Sequence, residues 1–269
     1  MIKGTYHTVT VKPNIDAACA TAYNAADVLF DWTAFEIPRG ACLLRSIQAT
    51  IAGTDGADGN VLDMDLLFAR SYDAGDGNGK VAPPSLGTVN GAMTAAVAIA
   101  AKNHIIGYKF LDGSAMVDAG GDLIAYNVWS NTAGNTIYDE ANIVLEGAPD
   151  FAGDSTHSAT TTGYQTVWIA GIAQGAFDFG TGMAIDNGSG YTAGATATLN
   201  CDGTAGDILF TPGDELIAAD GALIGKVKTI SDDGSHTTLV LQDNVTATLA
   251  DDDEVCYRQP VVFHFGLEY

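Results

Sequence analysis

The stretch Val261-Val262-Phe263-His264-Phe265-Gly266-Leu267 sets Val261, Phe263, Phe265 and Leu267 against Val262, His264 and Gly266. A period of two puts each set on its own face of an extended chain, so residues 260–267 read as a half-buried β-strand. The pattern recurs upstream. In 28–37, Val28, Phe30, Trp32 and Ala34 or its neighbours alternate before Pro38-Arg39-Gly40. In 42–51, Leu44, Ser46, Gln48 and Thr50 oppose Leu43, Arg45, Ile47, Ala49 and Ile51. Residues 61–69 alternate Leu62, Met64, Leu66 and Phe68 with Asp63, Asp65 and Leu67. Residues 122–129 and 165–173 are further strand candidates, rich in residues that suit a pleated, half-buried surface.

Turn signals separate these segments: Asp55-Gly56, Asp58-Gly59-Asn60, Asp76-Gly77-Asn78-Gly79, Asp112-Gly113 and Asp202-Gly203. Many short strands joined by such turns predict an all-β chain: a large antiparallel β-sandwich of jelly-roll type with a small inserted β-barrel-like domain. The Ala-rich residues 94–102, after Pro83-Pro84, fit either a helix or a buried strand. Composition shifts near Gly175 to Gly, Thr, Ala and Ser, and a second strand cluster runs from Ile208 to Tyr257. We therefore divide the chain into a large domain, 1–177 plus 259–269, and a small inserted domain, 178–258. In the latter, Asp220-Gly221 reads as a two-residue hairpin turn, and Gly225 as a bulge or bend within a strand.

The chain of 269 residues carries 33 acidic and 11 basic side chains, a formal net charge of −22. Such a balance repels nucleic-acid phosphates and anionic membranes, so neither is an expected partner. At 47% hydrophobic residues the chain can build a core. The opening Met1-Ile2-Lys3-Gly4-Thr5-Tyr6 has no apolar signal segment, which points to synthesis in a cytoplasm without export by the general secretory route. Cys19, Cys42, Cys201 and Cys256 are scattered and read as small buried hydrophobes. If a bridge forms, Cys201–Cys256 is the best-placed pair, because both fall in the small domain.

The run Phe210-Thr211-Pro212-Gly213-Asp214-Glu215-Leu216-Ile217-Ala218-Ala219-Asp220-Gly221-Ala222-Leu223-Ile224-Gly225-Lys226-Val227 is followed by the apolar strand Thr238-Leu239-Val240-Leu241. It resembles a module of virion structural proteins of tailed marine phages, especially cyanophages, over residues 192–258. The resemblance implies a capsid decoration or cement protein in the virion, with the major capsid protein or other virion proteins as partners. It also implies a homo-oligomer, with a trimer favoured. A tail- or baseplate-associated protein is the near alternative. Residues 1–12, with Thr8, Thr10 and the Tyr6, Val9, Val11 set, could form an arm that adds a strand to a neighbour.

Catalytic signals are absent from the sequence. There is no G-x-S-x-G elbow, no phosphate loop and no H-E-x-x-H, and His7, His104, His157, His236 and His264 share no local metal motif. A non-enzymatic protein without a required cofactor is expected. Weak Ca²⁺ candidates are Asp55 and Asp58, and Asp73 and Asp76, in Asp/Gly/Asn loops that lack the bidentate Glu of an EF-hand. Asp251-Asp252-Asp253-Glu254 reads as a solvated loop. Trp32, Trp129 and Trp168 fall in strand patterns and read as core. Tyr164, Tyr191, Tyr257 and Tyr269 sit at element edges, where a glycan or protein contact would use them. A carbohydrate-binding or calcium-dependent adhesion module is accordingly the reading from another class.

Overall fold

The computed structural model describes residues 5–17, 21–38, 40–52, 63–70, 82–94, 101–113, 117–118, 123–127, 141–147, 164–180, 182–204 and 206–269. The chain is all-β and antiparallel, a sandwich joined to a small barrel-like sheet.

The first sandwich sheet has the order β1 (Tyr6–Val11), β16 (Val261–Glu268), β3 (Cys42–Ala52), β7 (Leu123–Asn127), β6 (Val117–Asp118), with β8 (Ile143–Leu145) also paired to β3. The second has the order β2 (Val28–Pro38), β9 (Tyr164–Ala173), β4 (Met64–Arg70), β5 (Ile105–Leu111). The alternation in β16 is realised in full: Val261, Phe263, Phe265 and Leu267 are buried, with half-exposed residues between them. Their rings meet those of the facing sheet. Phe265 lies 5.2 Å from Phe35 and 5.6 Å from Phe68, and Phe263 lies 5.7 Å from Phe30, centroid to centroid. Burying such aromatic area is the main drive for the two sheets to close on each other.

In β3 and β2, bulges change the phase of the alternation. Opposite β16, Gly266 pairs with Ser46 but Leu267 pairs with Leu44, so Arg45 is the extra residue. Leu44 therefore joins Ile47, Ala49 and Ile51 in the core instead of opposing them. In β2, shifts between Val28 and Phe30 and between Phe30 and Thr33 change the phase, and Phe35 and Ile37 become the inward residues. The outer face of the second sheet is covered as well. Val28, Trp32, Ala69, Ala170 and Ile172 pack with Leu86 and Ala101, and Trp32 Nε1 donates to the Pro84 carbonyl at 3.0 Å. This cover explains why Val28, Leu29 and Phe30 are all buried in succession. Of the ambiguous stretch 94–102, residues 95–100 lie outside the described residues.

The remaining strands, β10 (Met183–Ala184), β11 (Thr198–Asp202), β12 (Glu215–Ala218), β13 (Leu223–Asp232), β14 (His236–Leu241) and β15 (Glu254–Tyr257), form one sheet of order β10-β15-β12-β13-β14-β11. β13 serves both halves. Its start pairs with β12 and its end with β14, across a register shift between Val227 and Thr229. A second shift, between Leu216 and Ile217, skips Ile224 beside Gly225, whose φ of +156° a side chain rarely adopts. The bulge read from Gly225 is thus present. The turn before it is wider than a two-residue loop. Gly221 N–H donates to the Ala218 carbonyl at 2.8 Å and Ala218 N–H to the Ala222 carbonyl at 2.9 Å, so residues 219–221 form a three-residue loop with Gly221 at φ +82°. The two ends of the sheet meet through an Ile185–Cys201 bridge, which brings it close to a closed barrel. Inside pack Ile185, Leu199, Phe210, Leu216, Val227 and Leu239, among others, capped by the helical turn α1 (Gly206–Leu209).

The barrel sits on the sandwich. Ile217 and Cys256 belong to the core cluster that contains Ile15 and Phe263. Cys42 and Cys201 are free and buried, whereas Cys256 is disulfide-bonded. A Cys201–Cys256 bridge is therefore corrected: the sulfur bonded to Cys256 is not that of Cys201. Among the described residues, no helix is long and apolar enough to cross a membrane.

Candidate functional site

The seam where the barrel closes gathers three potential ligand side chains. Asp186 follows β10, Asp202 ends β11 and His236 opens β14, and their nearest donor atoms all lie within 4.8 Å of one another. Ladder hydrogen bonds fix each position. Asp202 and His236 are register partners across β11 and β14, and Asp186 N–H donates to the Asn200 carbonyl at 2.9 Å. The imidazole stands between two carboxylates. Its Nε2 is 3.1 Å from Asp186 Oδ2, and its Nδ1 is 3.7 Å from Asp233 Oδ2. The other oxygen of Asp233 accepts the backbone N–H groups of Ser235 and His236 at 2.9 and 2.8 Å, which lowers its pKa and keeps it a carboxylate. The side chains of His236 and Asp186 are 45% and 42% exposed, so water and ions reach them.

The field of this cluster extends inward. Burial, followed by the nearby charges of Asp202 and Asp186, pushes the Cys201 thiol up to about 12. Cys201 therefore stays a neutral core residue and not a thiolate ligand.

The residues singled out from sequence fall elsewhere. Asp55, Asp58, Asp73 and Asp76 lie outside the described residues, as do Cys19, Trp129 and His157. The 251–254 run fixes backbone. Asp251 accepts from Asn187 N–H, Asp253 from Ala250 N–H and Glu254 from Gly182 N–H. His264 is hydrogen-bonded to Thr10 on the neighbouring strand at 3.0 Å. Trp32 is buried, and Trp168 packs partly buried beside it. Tyr257 does end a strand, β15, but is corrected from a contact residue to a core one, 7% exposed with its ring 4.8 Å from Phe210. Tyr191 is tied into the barrel, its hydroxyl accepting Asn200 N–H at 2.9 Å. Tyr269 is exposed, as are Tyr6, Tyr108 and Phe110.

The seam trio carries no local signature, since its three members are far apart in sequence and only barrel closure joins them. Asp202-Gly203 reads as a turn and His236 as an isolated histidine. Comparison with protein-family models, with curated proteins and with solved structures found no match.

Proposed function

We propose that this chain is a structural, non-catalytic protein of a tailed-phage virion that decorates and stabilises the capsid surface. One observation carries the reading. The segment that resembles virion modules, residues 192–258, holds β11 to β15, five of the six strands of a barrel-like sheet with its own core that lies between β9 and β16 of a sandwich. A small rigid module mounted on a larger one suits a protein that bridges or caps shell subunits. The net charge of −22 keeps many copies apart before assembly. Exposed Tyr6, Tyr108, Phe110 and Tyr269 supply aromatic contact area of the kind that interfaces enrich. The partners are then the major capsid protein and further copies of this chain, with a trimer favoured because shell sites present local threefold axes.

The test is addition of the purified, tagged protein to capsids that lack it, followed by electron microscopy and capsid melting. Regular density on the head with a raised melting temperature supports decoration. Density on the tail or baseplate moves the protein to that assembly, and no attachment to any particle rejects the virion reading. The exposed tyrosines also keep a glycan-binding module in view, which a glycan array run in Ca²⁺ and in chelator separates from scaffolding.

A further inference from the structure

We propose that Asp186, Asp202 and His236 bind a divalent transition-metal ion of the Zn²⁺ class, which latches the barrel at its seam. The donor set selects the ion. An imidazole with two carboxylates suits Zn²⁺, whereas Ca²⁺ takes six to eight oxygens and gains little from a nitrogen. In a tetrahedral zinc site with bonds of about 2.0–2.2 Å, neighbouring donors stand roughly 3.4 Å apart. His236 Nε2 and Asp186 Oδ2 are 3.1 Å apart, and Asp202 completes a set spanning no more than 4.8 Å. Small rotations of half-exposed side chains close the remaining gap, and water fills the fourth position.

A separate feature points to a cation at Nε2. Asp233, which is not a member of the ligand trio, faces the opposite ring nitrogen at 3.7 Å and is itself held by two backbone N–H groups. A carboxylate behind a ligating histidine fixes the ring's orientation and raises its basicity, the usual outer shell of a zinc-bound imidazole. With Asp233 behind Nδ1, Nε2 faces the two aspartates of the trio, the arrangement of a metal-ligating imidazole. The metal joins β10, β11 and β14 and holds the two ends of the open sheet together.

The experiment uses the full chain, stripped with chelator and dialysed, titrated with ZnCl₂ by calorimetry and followed by thermal melting. Wild type should bind one Zn²⁺ at micromolar affinity or tighter and melt higher with it. His236→Ala and Asp202→Asn should each lose at least tenfold in affinity, and Asp233→Asn about tenfold. All three positions lie at the surface, and circular dichroism checks that the variants fold. Absence of Zn²⁺ binding by folded wild type overturns the site. Binding that His236→Ala and Asp202→Asn leave unchanged places the ion elsewhere and overturns it equally. Neither outcome bears on capsid attachment, which is read separately.

Discussion

Arg258 Nε donates to Asp16 Oδ1 at 2.8 Å, joining the barrel's exit strand to a segment 242 residues earlier in the chain. The same guanidinium donates through Nη1 to Glu215 Oε2 at 2.8 Å. Backbone bonds continue the contact, from Ile15 N–H to the Arg258 carbonyl and from Arg258 N–H to the Glu215 carbonyl. One planar fork thus serves a carboxylate on each unit. Arginine suits this task because its donors are rigidly spread, where a lysine ammonium is a point charge.

Arg258→Ala should therefore destabilise the protein by about 1–2 kcal/mol, the charged hydrogen bonds being partly discounted for solvent. Arg258→Lys should recover less than half of that. Urea unfolding of the three proteins checks it. If the lysine variant matches wild type, the fork geometry is irrelevant and only the charge counts.

The thiols give a chemical test of the core. Burial pushes Cys42 up to about 11 and Cys201 up to about 12. With Cys256 disulfide-bonded, native protein at pH 8 should react with no thiol reagent at Cys42 or Cys201. Unfolding without reductant should release two thiols and unfolding with reductant four. Because both folded values lie above the unfolded value of 9.0, stability should be intact below about pH 9 and fall as pH rises toward 11–12. Four thiols without reductant would remove the disulfide.

The last strand carries more of the core than its position at the chain end suggests. Phe265 touches the rings of Phe35, Phe68 and Phe263. Phe265→Ala should cost about 3–5 kcal/mol. A chain ending at Gln259 loses four fully buried side chains, at roughly 1.5–3 kcal/mol each, against a total stability of about 5–15 kcal/mol. Its expression should yield insoluble protein. Soluble, cooperatively melting material would mean that β16 is dispensable.

Much of this fold is legible residue by residue. The period of two in 260–267 and 64–68 survives intact because neither run carries an extra residue; the bulges beside them fall on the partner strands β3 and β5. It misleads at Leu44 and Phe35, where a bulge adds one residue and flips every later side chain to the other face. Bulges depend on the partner strand, and nothing local to Arg45 marks one. The seam trio is hidden for the same reason. The proximity of Asp186 and Asp202 is a property of barrel closure, and the exposed Asp residues of an acidic chain all look alike before the chain closes. Tyr257 shows the converse, an aromatic at a strand end that becomes core because Phe210 folds over it.

The organisation into a sandwich with an inserted barrel makes the final prediction. Among the described residues, strands β10 to β15 pair with one another, and β16 then pairs with β1 and β3. Each unit has its own cluster of buried residues, and the shared contact is narrow: Ile217 and Cys256 against the sandwich core, with Arg258 reaching Asp16. Removing residues 180–258 and joining the ends by a flexible Gly/Ser linker should leave a sandwich that still melts cooperatively, in reductant. Its melting temperature should fall, because the sandwich core loses Ile217 and Cys256 and Asp16 loses its cation. Circular dichroism should retain the β signal of the described strands that remain, β1 to β9 and β16. If melting becomes broad while the purified chain stays monomeric, the two clusters fold as a single unit, and the barrel is part of the sandwich's stability instead of a module carried on it.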